Sequence, residues 1–381
     1  MRIIKVQLDF NITKKVHSLY HSFFNNPPEG VEYLKSEFIG INEKNYSNLG
    51  KVYKKIVKSL PFINKFHQKI NDLLRKDSKS DLIHFTFHFG NTKKSCVVDY
   101  ETAFSFIDVN ERENKRLKRK VIRRLNKKNV KYLMPIHKDA LKSFRLFFGD
   151  KVKKPQEIVY PTIFIPPEFR KRVKKKNQVV FVSTSNIVND RVFLIKGGLE
   201  TISTFERLSK KYSMWEFIIL GKVPKYLEKK FPKNMTFKES VPREEMWDIF
   251  NQSKIFVQPC YQAPAMAFLE AMWFKLPIVT YNCWGNNEYV DESNGIIIHP
   301  KEINHINKYN SPDYSESTLN KIRKNYEENS RNIENAIEKL IKNRKLREKL
   351  GNDGFKRVST GKFSIDKKNE RLRRIYIESL K

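Results

Sequence analysis

The stretch from Phe256 to Thr280 constrains the fold of this chain more than any other. It begins as an apolar, strand-like segment, passes through a Pro-containing turn, and continues into a run with helical spacing of its apolar residues. Those residues are Met266, Leu269, Met272, Trp273 and Leu276. Pro277–Tyr281 then has the composition of a second buried strand. A strand that feeds a helix and then another strand predicts a parallel α/β sheet, whose edge holds phosphates and sugars.

The rest of the second half repeats this alternation of strand and helix. Strand-like segments occur at 178–183, 215–220, 255–258, 277–281 and 294–298, with helical patterns between them. The regular order predicts a doubly wound parallel sheet. No GxGxxG motif is present, which argues against a dinucleotide site.

The first half shows a similar but less regular order. Strands are predicted near 2–8, 81–88, 95–101 and 157–161, and helices near 16–24 and 139–148. A Pro-rich and then charged segment at 165–176 is typical of a linker. We therefore predict an α/β chain with domains at 1–165 and 166–360, followed by a C-terminal segment at 361–381.

Polar residues close two strands of the first half. His84, His88, Asp99 and Glu101 lie at or after the ends of apolar segments. In an open α/β sheet such positions face the ligand crevice, so all four are candidate site residues, with a structural hydrogen bond as the alternative. In the second half, Lys196-Gly197-Gly198 opens a helix. A cation beside free helix amides favours a phosphate.

Taken together, the second-half motifs resemble the C-terminal domain of the group 1 glycosyltransferases, the retaining family 4. The motifs that carry the resemblance are Lys196-Gly-Gly198, Ile218-Ile-Leu-Gly221, Ile255-Phe-Val-Gln-Pro259, Phe268-Leu-Glu-Ala-Met272, Leu276-Pro-Ile-Val279 and Asn294-Gly295. The resemblance implies the GT-B architecture, in which two Rossmann-like domains face a cleft and a C-terminal helix crosses back to the N-terminal domain. The first half resembles the family in layout only.

The resemblance also implies roles for individual residues. Glu270 matches the second Glu of the family's E-x7-E motif, which holds the ribose of the donor nucleotide. Lys196 matches the cation on the donor diphosphate, and Arg191 is the nearest match to the Arg that accompanies it. The predicted donor-binding residues are Lys196, Gly197, Arg191, Glu270, Ala265 and Met266, and the predicted catalytic residues are Gln262, His84 and His88.

Two departures from the family pattern bear on activity. Gln262 stands where the family has the first Glu, and a neutral amide supplies no negative charge to an oxocarbenium-like state. Because hydrogen bonds to charged groups are worth roughly 1.5–3 kcal/mol and neutral ones about 1 kcal/mol, this change predicts turnover slower by about tenfold or more. The Gly-rich loop of the family is also missing, since residues 10–15 contain no Gly.

The charge balance points to polyanions. The chain has 75 Lys and Arg residues against 42 Asp and Glu, a net charge of +33. Basic helices predicted at 51–76 and 111–131 would suit an anionic membrane surface. No nucleic-acid-binding motif accompanies them, which makes nucleic acid the less favoured partner. Three widely spaced cysteines support neither a disulfide framework nor a zinc site and suggest a reduced, cytoplasmic compartment.

These observations predict a metal-independent, retaining glycosyltransferase without a cofactor. Its co-substrate would be a nucleotide-sugar such as a UDP- or GDP-sugar, and its acceptor a glycan, a lipid-linked glycan or a protein-linked glycan. Gln262 and the missing Gly-rich loop leave one alternative, a degenerate GT-B fold that serves as a non-catalytic binding or scaffold protein. A basic nucleic-acid-binding protein is the third interpretation.

Overall fold

A computed structural model describes residues 2–9, 19, 21–35, 79–183, 190–227, 230–239, 241–303 and 305–381. The chain divides into two compact units: residues 1–160 with 366–381 form unit 1, and residues 161–365 form unit 2. The predicted boundaries at 165/166 and 360/361 lie within a few residues of these divisions. The predicted basic helices at 51–76 and the segment 10–15 lie outside the described residues.

Within the described residues, unit 1 is built on a five-stranded parallel sheet. Its strands are β1 (Ile4–Asp9), β2 (Val31–Lys35), β3 (Leu82–Thr86), β4 (Cys96–Tyr100) and β5 (Val130–Pro135). Their spatial order is β2-β1-β3-β4-β5. Every residue of β3 and β4 is buried, as expected for parallel strands covered on both faces.

The helices α1 (His21–Asn25), α2 (Lys115–Leu125) and α3 (Lys138–Phe148) belong to unit 1. The prediction of one basic helix over 111–131 is wrong, because α2 covers only part of that run. Asn114 caps its start by accepting a hydrogen bond from the Leu117 N–H at 3.0 Å, and β5 takes over at Val130. The predicted strand at 157–161 is also wrong. The Glu157 and Val159 N–H groups donate hydrogen bonds to carbonyls of β5, but residues 157–161 do not form a strand.

Unit 2 contains a six-stranded parallel sheet in the part of the chain that the structure describes. Its strands are β6 (Gln178–Val182), β7 (Glu216–Leu220), β8 (Met235–Lys238), β9 (Ile255–Val257), β10 (Ile278–Tyr281) and β11 (Gly295–Ile298), in the order β11-β10-β9-β6-β7-β8. Its helices are α4 (Asp190–Ile195), α5 (Gly198–Lys211), α6 (Arg243–Gln252), α7 (Ala265–Trp273), α8 (Asn286–Tyr289), α9 (Glu316–Lys342) and α10 (Arg344–Ser359). The predicted strand–helix alternation of this half is therefore confirmed.

The strand order creates a topological switch point in each sheet. In unit 2 the chain runs outward from β6 through β7 and β8, and then returns to place β9, β10 and β11 on the other side of β6. In unit 1 the same reversal lies between β1 and β3. The loops after two such neighbouring strands leave in opposite directions and open a crevice at their carboxyl ends. These two crevices are the positions at which each unit is expected to bind ligands.

The C-terminal helix α11 (Ile365–Leu380) packs on unit 1 rather than on the unit that precedes it in sequence. Arg374 pairs with Glu157, and Arg371 donates to the Ile158 carbonyl at 2.8 Å. Lys368, which is 4% exposed, donates to Ser22 Oγ at 2.9 Å. In the described part of the chain, no helix is long and apolar enough to span a membrane.

Lys368 predicts a pH-dependent stability of unit 1. Burial lowers the pKa of Lys368 from 10.5 to about 7, and its ammonium lies 4.2 Å from the centre of the Phe23 ring. Below about pH 7 Lys368 is protonated in both the folded and the unfolded protein, so folding buries a positive charge. Above this pH the folded protein releases the proton before the unfolded chain does, and stability rises up to the unfolded pKa. We expect Lys368→Met to remove a slope of up to about 1.4 kcal/mol per pH unit over that window.

Urea unfolding of the wild type and of Lys368→Met between about pH 7 and pH 9 would measure this slope. Lys367→Met is the matched control, because it removes a charge from the neighbouring, exposed position. The control should retain the wild-type slope. Equal slopes in all three proteins would contradict the assignment.

Candidate functional site

The turn between α4 and α5 carries Lys196 and Gly197 to the switch point of unit 2. Gly197 has a φ of 74°, and a Cβ atom there would lie 2.2 Å from the Pro259 carbonyl oxygen. Only glycine allows this approach. The Lys196 turn therefore lies directly against the turn that follows β9, the strand adjacent to β6 at the reversal.

Two further bonds join these turns. Gln258 Nε2 donates to the Lys196 carbonyl at 3.1 Å, and the Tyr261 N–H donates to the Ile195 carbonyl at 2.9 Å. The Lys196 side chain is half-buried and makes no hydrogen bond or ion pair with the residues that the structure describes. Arg191 lies in the first turn of α4 and is exposed. The structure thus leaves the ammonium of Lys196 available to an anion.

The helix α7 begins at this junction. Pro264 precedes it and provides no side-chain cap, so Ala265 and Met266 are the first residues with helical geometry. The first amides of an α-helix have no partner within the helix, and its dipole adds partial positive charge there. The predicted donor residues Ala265 and Met266 therefore place uncapped amides beside the turn that carries Lys196.

Glu270 is a buried anion in the interior of α7, with 2% of its surface exposed. Its Oε1 atom accepts hydrogen bonds from Arg243 Nε at 2.9 Å, from Arg243 Nη2, and from Trp247 Nε1 at 3.0 Å. Its Oε2 atom makes no hydrogen bond with the described residues. One oxygen of Glu270 is thus held by the protein, and the other can accept a hydrogen bond from a ligand.

Arg243 and Trp247 belong to this site and were not predicted from the sequence. Both lie on α6, one turn apart, and the guanidinium lies 5.5 Å from the centre of the indole ring. The i, i+4 spacing after Pro242 was the available signal, because it places both side chains on one helical face. Nothing in the sequence indicated that this face meets Glu270.

Gln262 lies half-buried in the turn between β9 and α7 and pairs with Trp284 in an isolated parallel bridge. The Ala263 N–H donates to the Trp284 carbonyl at 3.0 Å. Asn286 links the same turn to the end of β10, since its Nδ2 donates to the Cys260 carbonyl at 2.8 Å and to the Tyr281 carbonyl at 2.9 Å. The backbone around Gln262 is therefore held from both sides.

The two predicted histidines of unit 1 occupy different environments. His84 lies within β3 and is 1% exposed. Its Nδ1 shares a hydrogen bond with the Tyr376 hydroxyl of α11 at 2.8 Å, and its Nε2 lies 3.2 Å from Asp99 Oδ2. Both ring nitrogens are engaged inside the protein. This geometry agrees with the alternative given for His84 and Asp99, a structural hydrogen bond, and not with a position facing the ligand crevice.

His88 follows β3 at the switch point of unit 1, and its side chain is 20% exposed. Its Nδ1 lies 3.0 Å from the Thr86 carbonyl, and its Nε2 lies 3.3 Å from Asp9 Oδ1 at the end of β1. Burial lowers the pKa of His88, but hydrogen bonds and charge from Asp9, with Thr86 and Asp99, raise it above its usual value overall. The preceding residue, Phe87, has a φ of 55°, which is strained for a bulky side chain.

The remaining candidates add no metal centre. Glu101 follows β4 and is half-buried in the loop that contains Ser105. Cys96, Cys260 and Cys283 are buried and form no disulfide bond in the described structure. Among the described residues, no group of three or more His, Cys, Asp or Glu side chains could hold a metal ion.

Comparisons with known proteins agree on one fold. Residues 166–332 match the family model described as "Glycosyl transferases group 1". No curated protein sequence matches the chain significantly. Among solved structures, sucrose-phosphate synthase from Thermosynechococcus elongatus is similar, with a TM-score of 0.57, 11% identity and 99% of each chain covered.

Two other solved structures show the same relationship. HepE from Anabaena, in complex with UDP and glucose, has a TM-score of 0.55 at 11% identity and covers 98% of this chain and 99% of its own. A glycosyltransferase from Rickettsia africae has a TM-score of 0.53 at 11% identity, with 100% and 99% covered. Identities this low establish the fold alone. Together with the family match, they confirm the resemblance inferred from the motifs: residues 166–332 are similar to the group 1 glycosyltransferases, and the chain has a GT-B fold.

Proposed function

We propose that this protein transfers a sugar from a nucleotide-sugar donor to an acceptor, with retention of anomeric configuration and without a metal ion. The observation that carries this proposal is the junction at the switch point of unit 2. There the α4–α5 turn, which carries the unpaired Lys196, lies against the turn after β9. That second turn leads into the uncapped start of α7, and α7 carries Glu270, of which one carboxylate oxygen has no hydrogen-bond partner among the described residues. Cation, amides and carboxylate are the groups that a nucleoside diphosphate requires.

The donor diphosphate is assigned to Lys196, Gly197 and the α7 amides of Ala265 and Met266, with Arg191 as a further cation. The reaction develops negative charge on the diphosphate as it leaves. Fixed cations and helix amides stabilise that charge without reorganisation, which is the role that a divalent ion has elsewhere. HepE binds UDP and UDP-glucose, and by analogy we propose a uridine nucleotide as the first donor class to test.

The ribose is assigned to Glu270 Oε2. Arg243 and Trp247 hold Oε1, so the direction of the carboxyl group is fixed. A carboxylate that is already fixed loses little conformational entropy when it accepts a hydrogen bond from a ribose hydroxyl. Arg243 and Trp247 are therefore positioning residues for Glu270 in this proposal.

The donor sugar is assigned to Gln262, whose amide can hydrogen-bond a hydroxyl but cannot serve as a base or a carboxylate nucleophile. Retention would then depend on the cations that contact the diphosphate, because they stabilise the negative charge of the leaving group. It would not depend on a covalent intermediate at Gln262. The same residue motivates the alternative of a non-catalytic scaffold. A scaffold without a donor site would not bind nucleotides.

The acceptor is assigned to unit 1, on the side of His88. Both histidines have both ring nitrogens engaged, but only His88 lies at the switch point with an exposed edge. An acceptor hydroxyl that inserts between His88 Nε2 and Asp9 Oδ1 would hydrogen-bond to both groups, and the Asp9 carboxylate would accept its proton. We propose a glycan acceptor, carried on a lipid or on a protein.

A lipid-linked acceptor is favoured by the surface of α2. Exposed cations surround this helix, and two exposed apolar residues, Val109 and Leu146, occur in adjacent segments of unit 1. The exposed cations are Arg112, Lys115, Arg116, Arg119, Lys120, Arg123, Lys127 and Lys128. Each could contribute about 1 kcal/mol near an anionic bilayer, which is enough to recruit the protein in combination.

Lys196→Ala tests the diphosphate assignment. We expect wild-type protein to bind UDP or GDP in calorimetry and to hydrolyse or transfer the sugar of a matching donor. Lys196→Ala should weaken nucleotide affinity by about tenfold to a hundredfold, because one charge-assisted contact is lost. Lys210→Ala, an exposed position of α5, is the matched control and should bind as wild type does. Absence of nucleotide binding by wild type at millimolar concentration would favour the scaffold alternative.

Glu270→Gln tests the ribose assignment with paired ligands. Wild type should bind UDP about tenfold more tightly than 2′-deoxy- or 3′-deoxy-UDP, since a hydrogen bond to the carboxylate is lost with the hydroxyl. Glu270→Gln should reduce this discrimination severalfold, because a neutral amide forms a weaker hydrogen bond with the hydroxyl than a carboxylate does. If the variant weakened both ligands by the same factor, Glu270 would have a structural role only.

The membrane assignment requires a test that separates lipid from nucleic acid. Co-sedimentation with vesicles of phosphatidylcholine and phosphatidylserine should exceed that with phosphatidylcholine alone. Changing Arg116, Arg119, Lys120 and Arg123 to Gln should weaken vesicle binding by at least about a hundredfold at low salt. The same change at four exposed positions of α9, Lys321, Lys324, Arg331 and Lys339, is the control. Tighter retention on oligonucleotides than on vesicles would contradict the membrane assignment.

A further inference from the structure

Glu200 is a buried carboxyl group that the proposed mechanism does not use. It lies in the first turn of α5 and is 0% exposed. Its Oε1 accepts a hydrogen bond from the Tyr261 hydroxyl at 2.6 Å, and its Oε2 has no hydrogen-bond partner in the described structure. An acidic residue in the first turn of a helix interacts favourably with the helix dipole even when it is exposed. That interaction therefore does not explain why Glu200 is buried. Because burying a partly satisfied carboxyl costs free energy, its presence here calls for a role.

Tyr261, the partner of Glu200, is anchored at both ends. Its backbone N–H donates to the Ile195 carbonyl at the end of α4, at 2.9 Å. Its hydroxyl reaches Glu200 at the start of α5, and its ring packs 5.2 Å from the ring of Tyr281 on β10. Lys196 and Gly197 lie between those two anchor points. Tyr261 thus spans the turn that carries the proposed diphosphate cation.

The residues after Tyr261 carry the rest of the donor site. Gln262 follows directly, and Ala263 donates to the Trp284 carbonyl before α7 begins at Ala265. We infer that Glu200 is a positioning residue for donor binding: through Tyr261 it fixes the Lys196 turn relative to Gln262 and the start of α7. This inference rests on the proposed function.

The protonation of Glu200 gives this role a pH signature. Burial raises the pKa of Glu200 to about 7, and the hydrogen bond from Tyr261 opposes that rise. The titratable groups that interact with it from the neighbouring turn and strand are Tyr261, Tyr281 and Cys283, and burial raises the pKa of each. All three are neutral when Glu200 ionises. Since the Tyr261 hydroxyl donates to the carboxyl group that becomes charged, ionisation should strengthen the Tyr261 anchor, and donor affinity should rise above about pH 7.

Calorimetric titration of full-length protein with UDP or GDP, from about pH 6 to pH 8.5, tests this inference. Glu200→Gln keeps the acceptor for Tyr261 but cannot ionise. Tyr261→Phe keeps the ring and removes the hydroxyl. Thr204→Val is the matched control, because Thr204 is buried on the same helix and donates to the Ser330 carbonyl at 2.8 Å, one turn away from the Glu200 contact.

Four results are expected together. Wild-type affinity rises severalfold from about pH 6 to about pH 8.5, and Glu200→Gln matches wild type at about pH 6 without that rise. Tyr261→Phe weakens binding by about tenfold, the equivalent of one lost hydrogen bond. Thr204→Val lowers the melting temperature but leaves nucleotide affinity and its pH profile unchanged.

The two failures are distinguishable. If wild type binds nucleotide and both site variants share its affinity and pH profile, the positioning role of Glu200 is overturned and the proposed function stands. If Thr204→Val weakens binding as much as Tyr261→Phe does, the effect is general destabilisation and the inference is overturned. If wild type binds no nucleotide at all, the donor site itself is overturned, and the inference falls with it.

Discussion

The close approach of Gly197 to the backbone of Pro259 is the constraint on which the rest of the donor-side structure depends. A Cβ atom at position 197 would lie 2.2 Å from the Pro259 carbonyl oxygen, so the two turns meet only because residue 197 has no side chain. The bonds from Gln258 and Tyr261 to the Lys196 turn form around this contact. The positions of Lys196, Gln262 and the first α7 amides are therefore coupled through one backbone contact.

Charge is distributed unequally around that contact. Glu270 is buried and compensated by Arg243 and Trp247, whereas Lys196 has no ionic partner among the described residues. A buried carboxylate without Arg243 would carry a large desolvation penalty, so the pair explains why an anion can persist inside α7. A half-exposed ammonium carries a much smaller penalty and can remain unpaired until an anion binds. The arrangement holds the carboxylate in place and leaves the cation available.

Much of the second half was predictable because its signals are local. Alternating apolar and polar residues or short apolar runs indicated the strands. The helical spacing of apolar residues from Met266 to Leu276 indicated α7. The prediction of Lys196 beside the start of that helix needed only the rule that a parallel sheet gathers its carboxyl ends at one edge. The first half was less predictable. Charge alone does not fix helix length, so the basic run at 111–131 was overextended, and α2 ends where Val130 pairs with the sheet.

The sequence by itself determined the α/β class, the two-part organisation, the group 1 glycosyltransferase motifs and the identity of Lys196 and Glu270 as donor-site candidates. The tertiary structure alone decided what those residues touch. It brought Arg243 and Trp247 to Glu270, enclosed His84 beneath Tyr376 of α11, and joined Glu200 to Tyr261. These contacts link residues separated by 23 to 292 positions in the chain. Such partners are chosen by the packing of helices across a sheet, which no local pattern records.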